Sequence, residues 1–112
     1  MKITIIGSTG LNRKMKNHAK KLREEGNRVR MPAFDNLKGC DELQVCECNL
    51  KNIKWADEVH IIWDCRSTGT IFDFGMIFAL HKPVKLLYLE KKTFRGLMEK
   101  YEAKKMLEKG GK

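Results

Sequence analysis

Short apolar runs alternate with helical segments along most of the chain, and this alternation is the strongest constraint on its fold. Four strands are predicted, at Ile3–Ile6, Arg28–Met31, Glu58–Trp63 and Val84–Leu89. Helices are predicted at Leu11–Glu25, Asn49–Trp55, Gly69–Leu80 and from Phe94 to Gly110, the last one capped by Thr93. Strands joined through helices form parallel sheets with right-handed crossovers. The sequence therefore predicts a small three-layer, doubly wound (Rossmann- or flavodoxin-like) α/β domain with a four-stranded, mainly parallel sheet.

The length of the chain fits one domain. Its 112 residues, 42% of them hydrophobic, supply one core, so a single domain over residues 1–112 is predicted and general disorder is excluded. The segment from Ala33 to about Gln44 is rich in turn formers and is predicted to be irregular. No apolar run approaches the roughly 18 residues of a membrane span, so we expect no membrane association and a cytoplasmic location.

The charge of the chain favours an anionic partner. Its net charge is +9, and residues 1–30 carry nine of the 23 basic side chains but two of the 14 acidic ones. A phosphate, a nucleotide or a nucleic acid suits such a surface. Nucleic acid is the less favoured of these because no aromatic side chains are interleaved with the basic residues of the first helix for bases to stack on.

Cysteine and histidine do not form a metal-binding pattern. Cys40, Cys46, Cys48 and Cys65 contain no C-x-x-C pair, so we expect free thiols, no metal and no cofactor. His60 interrupts an apolar strand and is expected to be either a core histidine with satisfied hydrogen bonds or a partner-facing one. His18 is expected to be exposed on the basic helix. His81 is assigned to a turn.

Two glycine-containing turns follow the first and third strands. They are Gly7-Ser8-Thr9-Gly10 and Arg66-Ser67-Thr68-Gly69-Thr70. If these two strands are neighbours, both helix N-termini meet in one crevice, and their free N–H groups can bind an anion there. Each turn taken alone is also explained by the small residues that turns and helix caps ordinarily contain. The first turn also begins like a dinucleotide-binding loop, but Arg13 occupies the position of the third glycine.

Aspartates near this crevice are the candidate catalytic groups. Asp73 is a lone carboxylate in an apolar helix, where burial of its charge is costly, and Asp64 ends the third strand. The alternative for Asp73 is a favourable interaction with the helix dipole, or a side chain that simply reaches solvent. Asp57 is expected to make turn or cap hydrogen bonds.

Two stretches give the chain a family resemblance. The first is the opening strand with Gly7-Ser8, and the second runs from Ala56-Asp57 through Ser67-Thr68-Gly69-Thr70-Ile71-Phe72-Asp73-Phe74-Gly75-Met76 to Ala79-Leu80-His81-Lys82-Pro83-Val84. They resemble the nucleoside 2-deoxyribosyltransferase superfamily, which includes the 2′-deoxynucleoside 5′-phosphate N-hydrolases. The resemblance covers about the first ten residues and about residues 49 to 88.

The resemblance implies roles for individual residues. Asp73 occupies the position of the glutamate that attacks the anomeric carbon of deoxyribose, and Ser67 that of a phosphate-binding serine of the hydrolases. With Arg66 beside Ser67 and the turn Gly7-Ser8-Thr9-Gly10 across the crevice, a 5′-phosphorylated ligand is favoured over a plain nucleoside.

Other positions depart from the family pattern. Asn49 replaces a second carboxylate and cannot act as a general acid, and Thr4 replaces a tyrosine. Asp73 is itself one methylene shorter than glutamate. The phosphate-binding positions therefore persist, whereas the proton-handling ones do not.

Three functions are thus left open. The first is an N-glycosidase or deoxyribosyltransferase acting on a small-molecule nucleotide or nucleoside. It would use Asp73, Asp64 and Asn49 at the catalytic positions and bind its substrate through Gly7, Ser8, Thr9, Gly10, Arg66, Ser67, Thr68 and Gly69. The second is a nucleotide-binding domain without catalysis, and the third is a nucleic-acid-binding module. The apolar stripe from Phe94 to Tyr101 is predicted to lie in the core, with a homodimer contact as the alternative.

Overall fold

The computed structural model describes residues 1–33, 41–65, 67–88 and 94–110 of the chain. It contains four strands, β1 (Lys2–Gly7), β2 (Arg28–Arg30), β3 (Glu58–Trp63) and β4 (Val84–Tyr88). Its four helices are α1 (Asn12–Glu24), α2 (Glu42–Trp55), α3 (Thr68–Ala79) and α4 (Phe94–Gly110), and a 3₁₀ turn at Thr9–Leu11 precedes α1. Apart from the start of α2, these bounds lie within one residue of the predicted ones.

The strands form one sheet in the order β2-β1-β3-β4, and every neighbouring pair is parallel. The predicted α/β fold with a four-stranded parallel sheet is thereby confirmed. β1 is central, with Ile5 and Ile6 fully buried, because a strand covered on both faces needs apolar side chains on each.

Helices cover both faces of the sheet. On one face, α1 packs its apolar row of Met15, Ala19 and Leu22 against Ile3, Ile5 and Ile62. On the other, Ile53 of α2 and Ile77 of α3 pack against Ile6, Val59 and Ile61. The result is a three-layer Rossmann-like domain.

A crevice is expected where neighbouring strands connect to opposite faces. The helix that follows β1 lies on one face, and the helix that follows the adjacent strand β3 lies on the other. Connections that diverge in this way leave an opening at the carboxyl ends of the two strands, where ligands bind in such sheets.

His60 lies on the α1 face of the sheet and is satisfied by two partners. Its Nδ1 is 2.8 Å from Nε2 of His18, and its Nε2 is 2.9 Å from a carboxylate oxygen of Glu58. The prediction of a buried, partnered His60 is confirmed. The prediction of an exposed His18 is wrong: this side chain is only partly exposed because α1 packs it against His60.

Asp57 binds backbone at the amino end of the sheet, as predicted. Its carboxylate accepts a 2.9 Å hydrogen bond from the backbone N–H of Lys2. It therefore lies at the opposite end of the strands from the crevice.

Helix α2 begins seven residues earlier than predicted, at Glu42 instead of Asn49. The reason is a capping box: Asp41 accepts from the N–H of Gln44, and the Gln44 side chain accepts from the N–H of Asp41. These reciprocal bonds satisfy two free donors and start the helix inside a segment otherwise rich in turn formers.

Helix α3 is less buried than its apolar sequence predicts. Thr70, Asp73 and Ile77 are buried, but Ile71, Phe72, Phe74 and Phe78 are exposed. One helical face turns toward the sheet, and the described residues do not cover the other.

The prediction that the apolar stripe of helix α4 lies in the core is wrong for the side chains that the structure describes. Leu97, Met98 and Tyr101 are each more than 60% exposed. Helical spacing of apolar residues predicts an amphipathic helix but not the surface that its apolar face contacts, so the homodimer contact stays a prediction. No helix within the described ranges is both long and apolar enough to cross a membrane.

Candidate functional site

A cavity of about 600 Å³ lies at the carboxyl ends of β1 and β3, within the size range of small-molecule sites. It is bounded by the two predicted turns, by α2 and by the first turns of α3. Its lining comprises Gly7, Ser8, Thr9, Ala33, Glu42, Val45, Cys46, Asn49, Ser67, Thr68, Gly69, Thr70, Phe72 and Asp73.

Most of the predicted site residues therefore lie together. Gly7, Ser8, Thr9, Asn49, Ser67, Thr68, Gly69 and Asp73 all line the cavity. Gly10 does not line it, and Asp64 lies just behind it. Arg66 lies outside the described residues.

Gly7 is required by close packing at the end of β1. A Cβ added there would lie 2.6 Å from the carbonyl oxygen of Ile62 and 2.7 Å from the sulfur of Met15. Gly10, in contrast, would place a Cβ in open space. Only the first of these two glycines is therefore needed for the turn to sit against β3 and α1.

Asp64 joins the two turns. One of its carboxylate oxygens accepts from the hydroxyl of Ser8 at 3.4 Å, and the other accepts from the backbone N–H of Ser67 at 3.2 Å. This carboxylate positions the walls of the cavity, and the catalytic role predicted for it stays a prediction.

The N-terminus of α3 presents hydrogen-bonding groups to the cavity. Ser67 is its N-cap, and the hydroxyl oxygen accepts a 3.3 Å bond from the N–H of Thr70. That bond does not use the hydroxyl proton, which can be donated to an anion. The Thr70 hydroxyl is buried with no hydrogen-bond partner among the described residues. A buried polar atom of this kind is costly unless a ligand or water binds it.

Asp73 is the buried carboxylate of the cavity. It lies one helical turn beyond Thr70 on the same face of α3 and is 7% exposed. None of the described residues donates a hydrogen bond to it. Burial raises the pKa of Asp73 to about 6, so most of the carboxylate is ionised at neutral pH and its oxygens are free to react.

Asn49 is committed to the backbone. Its side-chain oxygen accepts from the N–H of Ala33 at 3.0 Å, and its amide nitrogen donates to the carbonyl of Ala33 at 3.5 Å. Asn52, one turn later, donates to the carbonyl of Met31. The two amides hold the segment after β2 against α2. An ionised carboxylate in place of Asn49 could accept a backbone hydrogen bond but could not donate one.

Sequence reasoning missed the cavity wall formed by the first turns of α2. Glu42, Val45 and Cys46 precede Asn49 on the same helical face, since residues three, four and seven apart line up on a helix. Burial raises the pKa of the Cys46 thiol, and the charges of Asp73 and Glu42 raise it further, so the thiol is neutral at pH 7. The capping box of Asp41 and Gln44 is the sequence signal that could have predicted this wall, because it marks the start of α2.

The described residues contain no group of three or more histidine, cysteine or acidic side chains able to hold a metal ion. Cys46, Cys48 and Cys65 are free thiols.

No protein-family model matches the chain, and no curated protein matches it closely enough to indicate a relationship.

Proposed function

We propose that the chain binds a 2′-deoxynucleoside 5′-monophosphate in this cavity and cleaves its N-glycosidic bond with Asp73 as the nucleophile. The observation that carries the proposal is the pairing of Asp73, a buried carboxylate with no donor among the described residues, with an unsatisfied hydroxyl one helical turn away. The sequence resemblance to the nucleoside 2-deoxyribosyltransferase superfamily supports the same assignment.

The phosphate end of the site is formed by the N-terminus of α3 and the turn after β1. Ser67 and Thr70 supply hydroxyl groups, and the first backbone N–H groups of α3 supply further donors. The positive end of the helix dipole and the net charge of +9 both favour a phosphorylated ligand over a neutral nucleoside.

The sugar then lies over Asp73. A carboxylate oxygen forms a bond to C1′ while the bond from C1′ to the base nitrogen breaks, and the electron pair leaves with the base, which takes up a proton. A water molecule or a second base then attacks C1′ and releases the Asp73 carboxylate. Two displacements at one carbon retain its configuration, as in retaining glycosidases.

The proposal is tested by incubating the purified protein with the common deoxynucleosides and their 5′-monophosphates, with chromatography for released base and melting temperature for binding. We expect base release from at least one monophosphate and none after Asp73→Asn. Release at the wild-type rate by Asp73→Asn would contradict the assignment. Stabilisation by monophosphates without release would favour the alternative of a nucleotide-binding domain.

The phosphate end is tested separately by Ser67→Asp. Aspartate is a good N-cap residue, so α3 is preserved, but its negative charge repels a phosphate. We expect the melting-temperature shift caused by the monophosphate to be lost in Ser67→Asp and kept in Ser67→Asn, a neutral cap of similar size. An equal shift in both variants would place the phosphate elsewhere.

A further inference from the structure

The wall of the cavity formed by α2 carries one carboxylate, that of Glu42, whereas the start of the α3 wall carries hydroxyl groups. Glu42 begins α2, and Cys46 and Asn49 follow it on the same helical face. Seven residues separate Glu42 from Asn49, which is about 10 Å along a helix axis. Glu42 is exposed and therefore lies at the solvent end of the α2 wall.

Asp73 and Glu42 are the two acidic residues among those that line the cavity. Asp73 is buried and Glu42 is exposed. Cys46 lines the same cavity, and the charges of both carboxylates raise the pKa of its thiol beyond the effect of burial. The cavity thus has donors for an anion at the start of its α3 wall and a carboxylate, which accepts hydrogen bonds, at the start of its α2 wall.

A nucleotide whose phosphate binds the start of the α3 wall can direct its base toward the α2 wall. Its phosphate is repelled by Glu42, so the base extends toward Glu42, Val45 and Phe72. Phe72 lines the cavity with a side chain that is 57% exposed, which gives a base an aromatic surface for contact. The capping box at Asp41 fixes the backbone from which Glu42 projects.

We infer that Glu42 is a specificity residue that selects nucleobases carrying an exocyclic amino group, an inference that rests on the proposed function. A carboxylate accepts N–H donors and repels the carbonyl oxygens that replace an amino group in thymine, uracil and hypoxanthine. Glu42 acts on the base edge and forms no bond with C1′, so the chemistry at Asp73 does not require it.

The test uses pairs of 5′-monophosphates that share a purine or pyrimidine ring and differ in the amino group. One pair is 2′-deoxyadenosine and 2′-deoxyinosine monophosphate, and the other is 2′-deoxycytidine and 2′-deoxyuridine monophosphate. Binding is measured by calorimetry on Asp73→Asn, which does not turn over, and kcat/KM is measured on the protein with Asp73 intact. We expect the amino-bearing member of each pair to be favoured about tenfold, the value of one charge-assisted hydrogen bond at an exposed site.

Glu42→Gln replaces a pure acceptor with a group that both accepts and donates, with little change in shape. We expect the preference within each pair to fall to about twofold or less, mainly through KM and Kd, with kcat little changed. Glu47→Gln is the matched control, because Glu47 lies on the same helix, is exposed and does not line the cavity. It should keep the full preference.

The outcomes separate this inference from the proposed function. Nucleotide binding with no amino preference, or a preference unchanged by Glu42→Gln, would overturn the role of Glu42 and leave the glycosidase proposal intact. Absence of any nucleotide binding would overturn both.

Discussion

The two faces of the sheet each bury a titratable side chain, but they treat it differently. On the α1 face, His60 is 3% exposed and both ring nitrogens have partners, His18 and Glu58. On the opposite face, Asp73 is 7% exposed and receives no hydrogen bond from the described residues. His60 belongs to a closed network, whereas Asp73 is directed into a cavity.

The difference distinguishes structural from functional burial. A buried polar group whose hydrogen bonds are complete contributes to one packed arrangement of the core. A buried carboxylate without donors costs stability, and folds retain such groups at sites that use them for binding or catalysis. The contrast therefore predicts that changes at Asp73 and His60 separate activity from stability.

The largest expected effect is on catalysis. Asp73→Asn should lower the rate of base release by about 10³-fold or more, since the amide is a poor nucleophile for C1′. His60→Leu should leave kcat/KM of the folded protein within about threefold, because it faces α1 and not the cavity. Base release at saturating monophosphate, measured at a temperature where both variants are folded, checks the pair. Equal losses of activity in the two variants would contradict the distinction between structural and functional burial.

The next effect is on stability. His60→Leu should lower the free energy of unfolding by about 2–4 kcal/mol, because it leaves two partly buried polar partners without their hydrogen bonds. Urea unfolding at pH 7.5 measures the change. His81→Asn is the control, since His81 is exposed and asparagine tolerates its positive φ of 54°; its effect should stay within about 0.5 kcal/mol. A smaller loss for His60→Leu than for His81→Asn would contradict a structural role for the network.

The pH dependence of stability should have opposite signs on the two faces. Burial raises the pKa of Asp73 from 3.8 to about 6, so the folded state binds this proton more tightly, and its contribution to stability rises as pH falls from 6 toward 4. Asp73→Asn should therefore be more stable than wild type at pH 7.5, by up to about 3 kcal/mol, with the gain fading below pH 6.

His18 should act in the other direction. Burial lowers its pKa below 6.5, and His60, Lys85 and Lys21 lower it further against the opposing charge of Glu25. As pH falls, His18 of the unfolded chain is therefore protonated before His18 of the folded protein. The contribution of His18 to stability is lost as pH falls below 6.5. Urea unfolding of wild type, Asp73→Asn and His18→Gln from pH 7.5 to 4.5 measures both slopes. A gain for Asp73→Asn that does not shrink on acidification would contradict burial of an ionised carboxylate.

The smallest expected effect is on stability, and it concerns the two glycines of the turn after β1. Gly7→Ala should cost about 1–3 kcal/mol, because the added Cβ meets the Ile62 carbonyl and the Met15 sulfur. Gly10→Ala meets nothing within 4 Å and should change stability by no more than about 0.5 kcal/mol. Thermal unfolding of both variants checks the prediction, and a larger loss for Gly10→Ala would reverse it.

The fold was predictable from the sequence because strand and helix periods alternate clearly from Lys2 to Tyr88. The site was predictable in part, since parallel topology brings the turns after β1 and β3 together and Asp73 stands out in an apolar helix. Glu42 and Cys46 were missed because the start of α2 depends on one capping box within a run of turn formers. The exposure of α4 could not be predicted, since amphipathic spacing does not identify the packing partner.

The most direct test of the account is the configuration at C1′ of the sugar released in a buffer that contains methanol. If Asp73 forms a covalent intermediate, methanol intercepts it and gives the methyl 2-deoxyriboside 5-phosphate with the β configuration of the substrate. Nuclear magnetic resonance distinguishes the two anomers. The α product would show that solvent attacks C1′ directly, and it is the result that would contradict Asp73 as the nucleophile.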